Sequence, residues 1–296
     1  MIVFHSVDLD GWMSAALTRK YLDQGELVYA TYKQDAEAVR RIKAAKPKTL
    51  YVVDYSFEND VFDEIIDLCG EVIWYDHHAD KIEGATEKMK ALKGRRSVEK
   101  VDRVSAAWLV YQDCPQSKKV ERLVKLASDY DVFMFDDDNP LSCDAPKFNS
   151  WVGFDRGGAL EQVERMRDLI DGTTPARLKT ILIEGSSMLH HEINNATVAA
   201  KRAVFGSYDG MRFAAINSAG MNPAYVCKPH QMSCAFVFCW YMLSDGRIKM
   251  DLRSDKNTGA DVGRIAKAWD GGGHEHAAGC VVTLDTLLEL GGKHDH

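Results

Sequence analysis

Acids and imidazoles gather in this chain directly behind apolar runs. Ile2-Val3-Phe4 leads into His5, Asp8 and Asp10, Leu50-Tyr51-Val52-Val53 into Asp54, and Glu71-Val72-Ile73-Trp74-Tyr75 into Asp76-His77-His78. A lone aspartate behind a strand is more often a helix cap or turn residue. The same plan three times in succession points instead to one metal site assembled from three strand ends. Carboxylates and imidazoles without thiolate suit Mn²⁺, with Mg²⁺, Fe²⁺ or Co²⁺ as alternatives, better than a structural zinc. Two such ions, roughly 3.5–4 Å apart, need a bridging carboxylate and terminal ligands on either side. Together they generate a hydroxide nucleophile at neutral pH and neutralise a phosphoryl group under attack. Asp129, behind the helical stretch Lys118–Ser128, is a candidate to close the ligand set, in competition with Asp131.

The elements that must position these groups follow from periodicity. Ile2–Phe4, Leu27–Thr31, Thr49–Val53 and Glu71–Tyr75 read as strands, and Gly11–Leu22, Ala36–Ala45, Asn59–Cys69, Ser105–Tyr111 and Lys118–Ser128 as helices. Near-continuous apolar strands alternating with helices predict a parallel sheet covered on both faces, which collects ligands at the carboxyl ends of its strands. Between Asp136 and Trp151 the composition turns to Asp, Asn, Pro and Ser, which predicts a loop or an edge of the first domain. A helix resumes at Ala159, and after a break at 172–175 a second, over about 175–203, carries the chain between domains. Arg212–Ile216, Cys234–Met242, Ile248–Leu252 and Cys280–Leu284 read as strands and Asp261–Trp269 as a helix. The expected fold class is therefore α/β, a parallel-sheet domain with helices on both faces and a smaller α+β domain across a cleft. With 296 residues, long for one core, the boundaries fall at 1–158, a helical linker 159–203, and 204–296.

A net charge of −7 and a pI near 5.8 argue against a protein that coats long nucleic acid or binds long duplexes. They leave room for a short phosphorylated substrate, because bound cations reverse the local sign. No apolar run is long enough to span a membrane, and Met1-Ile2-Val3-Phe4 is too short for a signal-peptide core. Seven cysteines, an odd number with no CxxC pair, predict a reducing, cytoplasmic setting, with Cys227, Cys234 and Cys239 packed as small hydrophobes.

The triplet Asp76-His77-His78 is the one for which the DHH phosphoesterase superfamily is named, and the chain resembles that family over almost its whole length. His5-Ser-Val-Asp8-Leu-Asp10-Gly11 is similar to its first motif, Val53-Asp54 to its second and Ser128-Asp129-Tyr130-Asp131 to its fourth. Many members place three residues between the first histidine and aspartate, where this chain has only Ser6 and Val7. Val104-Ser105-Ala106-Ala107-Trp108 is similar to the segment behind the triplet, and Gly271-Gly272-Gly273-His274 through Gly279, with Leu252-Arg253-Ser254, to the DHH-associated C-terminal domain. The resemblance implies that His5, Asp8 and Asp54 hold one metal and Asp10, Asp54, His77 and Asp129 the other. Asp76 would orient His77, and His78 would face the substrate phosphate. Arg253, Ser254, Gly271, Gly272, Gly273 and His274 would bind a terminal phosphate or the far nucleotide through glycine amides and charge-assisted contacts.

The implied activity is a two-metal phosphodiesterase of the small oligoribonuclease kind, cutting short oligonucleotides or dinucleotides to mononucleotides. Some such members also remove phosphate from 3′-phosphoadenosine 5′-phosphate. A cyclic nucleotide or dinucleotide is the rival substrate, with choice resting in loops at 136–156 and 217–232. A single-strand exonuclease ranks lower because no appended nucleic-acid-binding segment is read in the sequence. The Gly-Gly-Gly-His run argues against a pyrophosphatase, and the filled ligand positions argue against a non-catalytic nucleotide-binding protein. A homodimer is left open. The tail Gly291–His296 is assigned no role.

Overall fold

A computed structural model describes residues 1–32, 35–97, 103–115, 117–135, 139–154, 157–219, 221, 225, 233–254 and 258–291. Cys227, residues 292–296 of the tail and parts of the two expected loops lie outside them. The chain divides into two compact units, Met1–Leu189 and His190–His296.

In the first unit, β1 (Ile2–His5), β2 (Leu27–Ala30), β3 (Thr49–Val53) and β4 (Glu71–Tyr75) form a wholly parallel sheet in the order β2-β1-β3-β4. Alternation along the strands sends side chains to opposite faces. Ile2, Phe4, Tyr51, Val53 and Tyr75 pack into one core, and Val3, Val28, Leu50, Val52, Val72 and Trp74 into another. The first core takes in α1 (Leu9–Leu17), and the second takes in α2 (Ala36–Ala45) and α3 (Asn59–Leu68) through Ala38, Ile42, Phe62 and Ile65. This is the doubly covered sheet expected of continuous apolar strands. Because the chain leaves β1 for β2 on one side and returns to β3 on the other, the strand order reverses between β1 and β3. Such a switch point leaves a crevice at the strand ends.

Two short helices follow the triplet, α4 (Ala79–Glu83) and α5 (Glu87–Lys90). Then come α6 (Ala106–Tyr111), α7 (Lys118–Asp131), α8 (Asp144–Phe154), α9 (Ala159–Gly172) and α10 (Pro175–Ala200). Helix α7 runs three residues past the expected Ser128. Helix α8 occupies the latter half of the stretch expected as a loop or domain edge; its Pro146 lies in the first turn, where no intrahelical N–H is required. Helix α1 starts two residues earlier than expected because Asp8 caps it, accepting from the Gly11 amide at 3.0 Å. It continues into a π-helical turn at Thr18–Leu22. Gly11 is obligatory here, since a Cβ would sit 2.0 Å from the His5 carbonyl oxygen. That close crossing brings Asp8 and Asp10 back over the end of β1.

The second unit is α+β, as expected. Its strands β5 (Val204–Tyr208), β6 (Met211–Asn217), β7 (Phe236–Met242), β8 (Ile248–Ser254), β9 (Gly272–His274) and β10 (Ala277–Val282) form a mixed sheet in the order β5-β6-β7-β8-β10-β9. Helices α11 (Val262–Ala268) and α12 (Leu284–Gly291) complete it. Phe213, Phe236, Phe238, Leu252, Val262 and Ile265 build its core. No helix among the described residues is long and apolar enough to cross a membrane.

Candidate metal centre

The carboxyl ends of β1, β3 and β4 converge as the strand order requires. His5 ends β1, and its Nδ1 lies 2.9 Å from Asp8 Oδ2 and 3.7 Å from Asp54 Oδ2. Asp54 follows β3 with φ of +53°, a left-handed conformation that a non-glycine residue holds only when its surroundings enforce it. Across from it, His77 Nε2 is 3.4 Å from Asp54 Oδ1, 3.8 Å from Asp10 Oδ2 and 3.3 Å from Asp131 Oδ2. Ligand atoms of His5, Asp8 and Asp54 all lie within 4.8 Å of one another, as do those of Asp10, His77 and Asp131, and those of Asp54, His77 and His78. Asp54 thus stands between two groups of donors, one oxygen toward His5 and the other toward His77.

Expected site residues of the first unit come together with one replacement. Asp131 takes the place expected of Asp129, whose carboxylate instead pairs with Lys125 at 2.8 Å. The reason is helical phase. Val120, Val124, Ala127 and Asp131 fall at i, i+4, i+7 and i+11 along the inward face of α7, whereas Asp129 is one turn on from the half-exposed Lys125.

The supporting contacts also differ in one respect from expectation. Asp76 Oδ1 lies 2.6 Å from His78 Nδ1, so the ring that Asp76 holds is that of His78; it meets His77 at the backbone amide, 2.7 Å away. Its other oxygen accepts from Ser56 Oγ at 2.5 Å. Asp10 is fixed by two backbone amides, Ala106 at 2.9 Å and Ala107 at 3.0 Å. This gives the Ser105-Ala106-Ala107 segment a task that its composition does not announce. Ser56, Tyr32 and Tyr55 join the site with no advance signal beyond their position just past strand ends. Asp131 did carry a signal, its place on the apolar stripe.

Burial and mutual charge set the protonation of this cluster. Burial, then the charge of Asp54, pushes Asp10 up to about 7, with His77 opposing. Burial also drives Asp131 well above the usual carboxylate range. Burial works the same way on Asp54, but the adjacent imidazoles of His5 and His77 hold it below that range. Burial disfavours charge on His77, yet Asp131, Asp54 and Asp10 raise it well above the ordinary imidazole value; Asp8 and Asp54 do the same for His5. Burial opposes charge on His78 too, and Asp76 raises it. Tyr32 is pushed well up by burial, then by the charges of Asp76 and Asp54, so it stays a donor.

These residues suit divalent cations. Asp54 Oδ1 and Asp131 Oδ2 are buried and accept no hydrogen bond among the described residues, an expensive state that an ion would relieve. Oxygen and imidazole donors match hard to borderline metals, and a cation replaces the shared protons as counter-charge.

The remaining candidates lie in the second unit. Gly272 and Gly273 open an edge strand rather than a loose turn, and Gly271 immediately precedes it. A Cβ on Gly271 would meet the Gly279 oxygen at 2.3 Å, and one on Gly273, at φ of +137°, the Ala277 oxygen at 2.5 Å; Gly272 faces open space. Ser254 Oγ donates to the Ala260 oxygen at 2.6 Å, which ties it to the fold. In register, Arg253 of β8 and His274 of β9 both lie opposite Ala277 of β10. The two therefore flank a small side chain on one face of the sheet.

No protein-family model and no curated protein matches the chain. Solved structures do. PggH, a pGpG-specific phosphodiesterase from Vibrio cholerae, aligns over 97% of this chain and 95% of its own, with TM-score 0.56 and 15% identity. The DHH domain of a protein described as a member of a ribosomal-protein family aligns over 99% of this chain and 85% of its own, with TM-score 0.65 and 13% identity. RecJ from Thermus thermophilus, in complex with Mn²⁺, aligns over 99% of this chain and 50% of its own, with TM-score 0.55 and 13% identity. At such identities the likeness is one of fold.

Proposed function

We propose that this chain, whose fold is that of the DHH-domain proteins, is a two-metal-ion phosphodiesterase acting on dinucleotides or very short oligonucleotides. The observation that carries the reading is Asp54, buried and common to the donor group of His5 and Asp8 and to that of His77 and His78, with His77 in turn grouped with Asp10 and Asp131. In this reading Asp54 would hold a cation together with His5 and Asp8 and contribute to the second with His77. When bound, such a pair of ions supplies a hydroxide nucleophile and neutralises phosphoryl charge.

The chain's own residues do the rest. The Ala106 and Ala107 amides hold the Asp10 carboxylate in one orientation, so its position costs no reorganisation on binding. Asp76 takes His78 Nδ1 and favours its charged form, leaving Nε2–H as a donor toward the leaving oxygen. Arg253 and His274, on either side of Ala277, offer a terminal phosphate two charge-capable donors, with Gly272 leaving the strand face open. The short-substrate preference is supported by the fold neighbour matched over nearly its whole length, which is described as pGpG-specific.

The test is turnover of a 5′-phosphorylated dinucleotide with Mn²⁺ by wild type and Asp54→Ala. Loss of turnover in the variant is expected; equal product from both would remove the two-metal proposal. A panel adding a cyclic dinucleotide, 3′-phosphoadenosine 5′-phosphate and a long single strand ranks the substrates, and fastest turnover of the long strand would count against the second unit as a short-substrate clamp.

A further inference from the structure

Tyr32 stands two residues beyond β2, the strand that flanks β1 on the side away from β3. Its ring reaches into the metal centre. Ring centroids lie 5.4 Å from His5, 5.1 Å from Tyr55 and 5.8 Å from His78, the last edge-on. The Lys81 ammonium sits 5.4 Å from the centroid, over the ring, in a cation–π contact. The neighbouring Tyr55 hydroxyl is accounted for, donating to Asp35 at 2.9 Å. The Tyr32 hydroxyl is buried and has no hydrogen-bond partner among the described residues.

A buried hydroxyl without a partner costs stability, and a phenylalanine would fill the same space without that cost. The group therefore demands an acceptor that arrives from outside. Its ring neighbours, a proposed metal ligand on one side and the proposed acid on the other, place that acceptor at the reacting phosphate. We propose that the Tyr32 hydroxyl donates a hydrogen bond to a non-bridging oxygen of the phosphoryl group seated at the metal centre. This rests on the phosphodiesterase reading, and it makes Tyr32 a substrate-contacting residue. The ring's second task is to wall His78 into the orientation that Asp76 sets.

Tyr32→Phe keeps the ring and removes only the hydroxyl. Three quantities are measured on wild type and variant: Mn²⁺ affinity, the Kd of inorganic phosphate for the Mn²⁺-loaded protein, and kcat/KM on a 5′-phosphorylated dinucleotide. The expected result is unchanged Mn²⁺ affinity and a melting temperature no lower than that of wild type, with phosphate binding weakened and kcat/KM lowered by roughly 10- to 100-fold, the range for a hydrogen bond to a charged acceptor. Phosphate affinity within twofold of wild type would overturn the contact. So would a variant that loses Mn²⁺ or melts lower, because Tyr32 would then be structural. Wild type that binds phosphate through Tyr32 but turns over no nucleotide would sink the phosphodiesterase reading and leave this contact standing.

Discussion

Asp129 and Asp131 are separated by a single residue on α7, and their fates show how the site was written into the chain. Composition alone treats them as equals, and the match to the family's serine-aspartate pair favours Asp129. Phase decides otherwise: the buried stripe through Val120, Val124 and Ala127 continues to Asp131, which reaches His77 at 3.3 Å. The other proposed ligands stand out in the sequence because each lies at or just past a strand end, where only a few residues can face the crevice. Asp76 was legible as a supporting residue, but which imidazole it holds depends on side-chain rotation, and spacing says nothing of that. Asp131→Asn is expected to lower Mn²⁺ affinity and turnover by more than the roughly 10- to 100-fold typical of residues that merely support a ligand. Asp129→Asn removes a partly exposed i, i+4 pair with Lys125, worth at most about 1 kcal/mol, and should leave both near wild type. Calorimetric Mn²⁺ titration beside a turnover assay checks both variants, and the reverse ranking would return the role to Asp129.

At the level of elements, legibility followed burial. Strands β1, β3 and β4 are apolar nearly throughout because both faces of their sheet are covered, so they stand out in the sequence. Strand β5 is mostly half-exposed and carries Gly206, and β9 is only Gly-Gly-His, with no strand preference of its own. Pairing with β10 makes β9 a strand, and the three glycines then separate by role. Gly271 and Gly273 are there because backbone from β10 crowds them; Gly272 is not crowded. Gly273→Ala would force a Cβ into the Ala277 oxygen at positive φ and should destabilise the second unit by about 1–3 kcal/mol, read as a lower melting temperature. Gly272→Ala should melt like wild type. If instead both alanines melt alike, the edge-strand account of this run fails.

The molecule as a whole keeps every proposed metal ligand in its first unit, so metal should act on that unit alone. The direction of the pH effect follows from the buried cluster. Asp10 is pushed up to about 7 by burial and Asp54, so between the unfolded carboxyl value near 4 and pH 7 the folded chain holds a proton that the unfolded chain has lost. Stability of the metal-free protein falls with rising pH across that window. His5 and His77, raised well above the imidazole value, continue the fall above pH 6.5 as their protons leave. Mn²⁺ replaces those protons, so its affinity, and with it the stabilisation RT ln(1 + [L]/Kd), should grow as pH rises from 6 to 8. At 100 times Kd that stabilisation is about 2.7 kcal/mol. Scanning calorimetry with Mn²⁺ or with chelator at the two pH values should show one transition that moves, by more at pH 8, and a second that stays. A shift as large at pH 6 as at pH 8 would mean that the ion does not displace the cluster's protons. Movement of both transitions would mean that the ion's influence extends beyond the unit that holds its ligands.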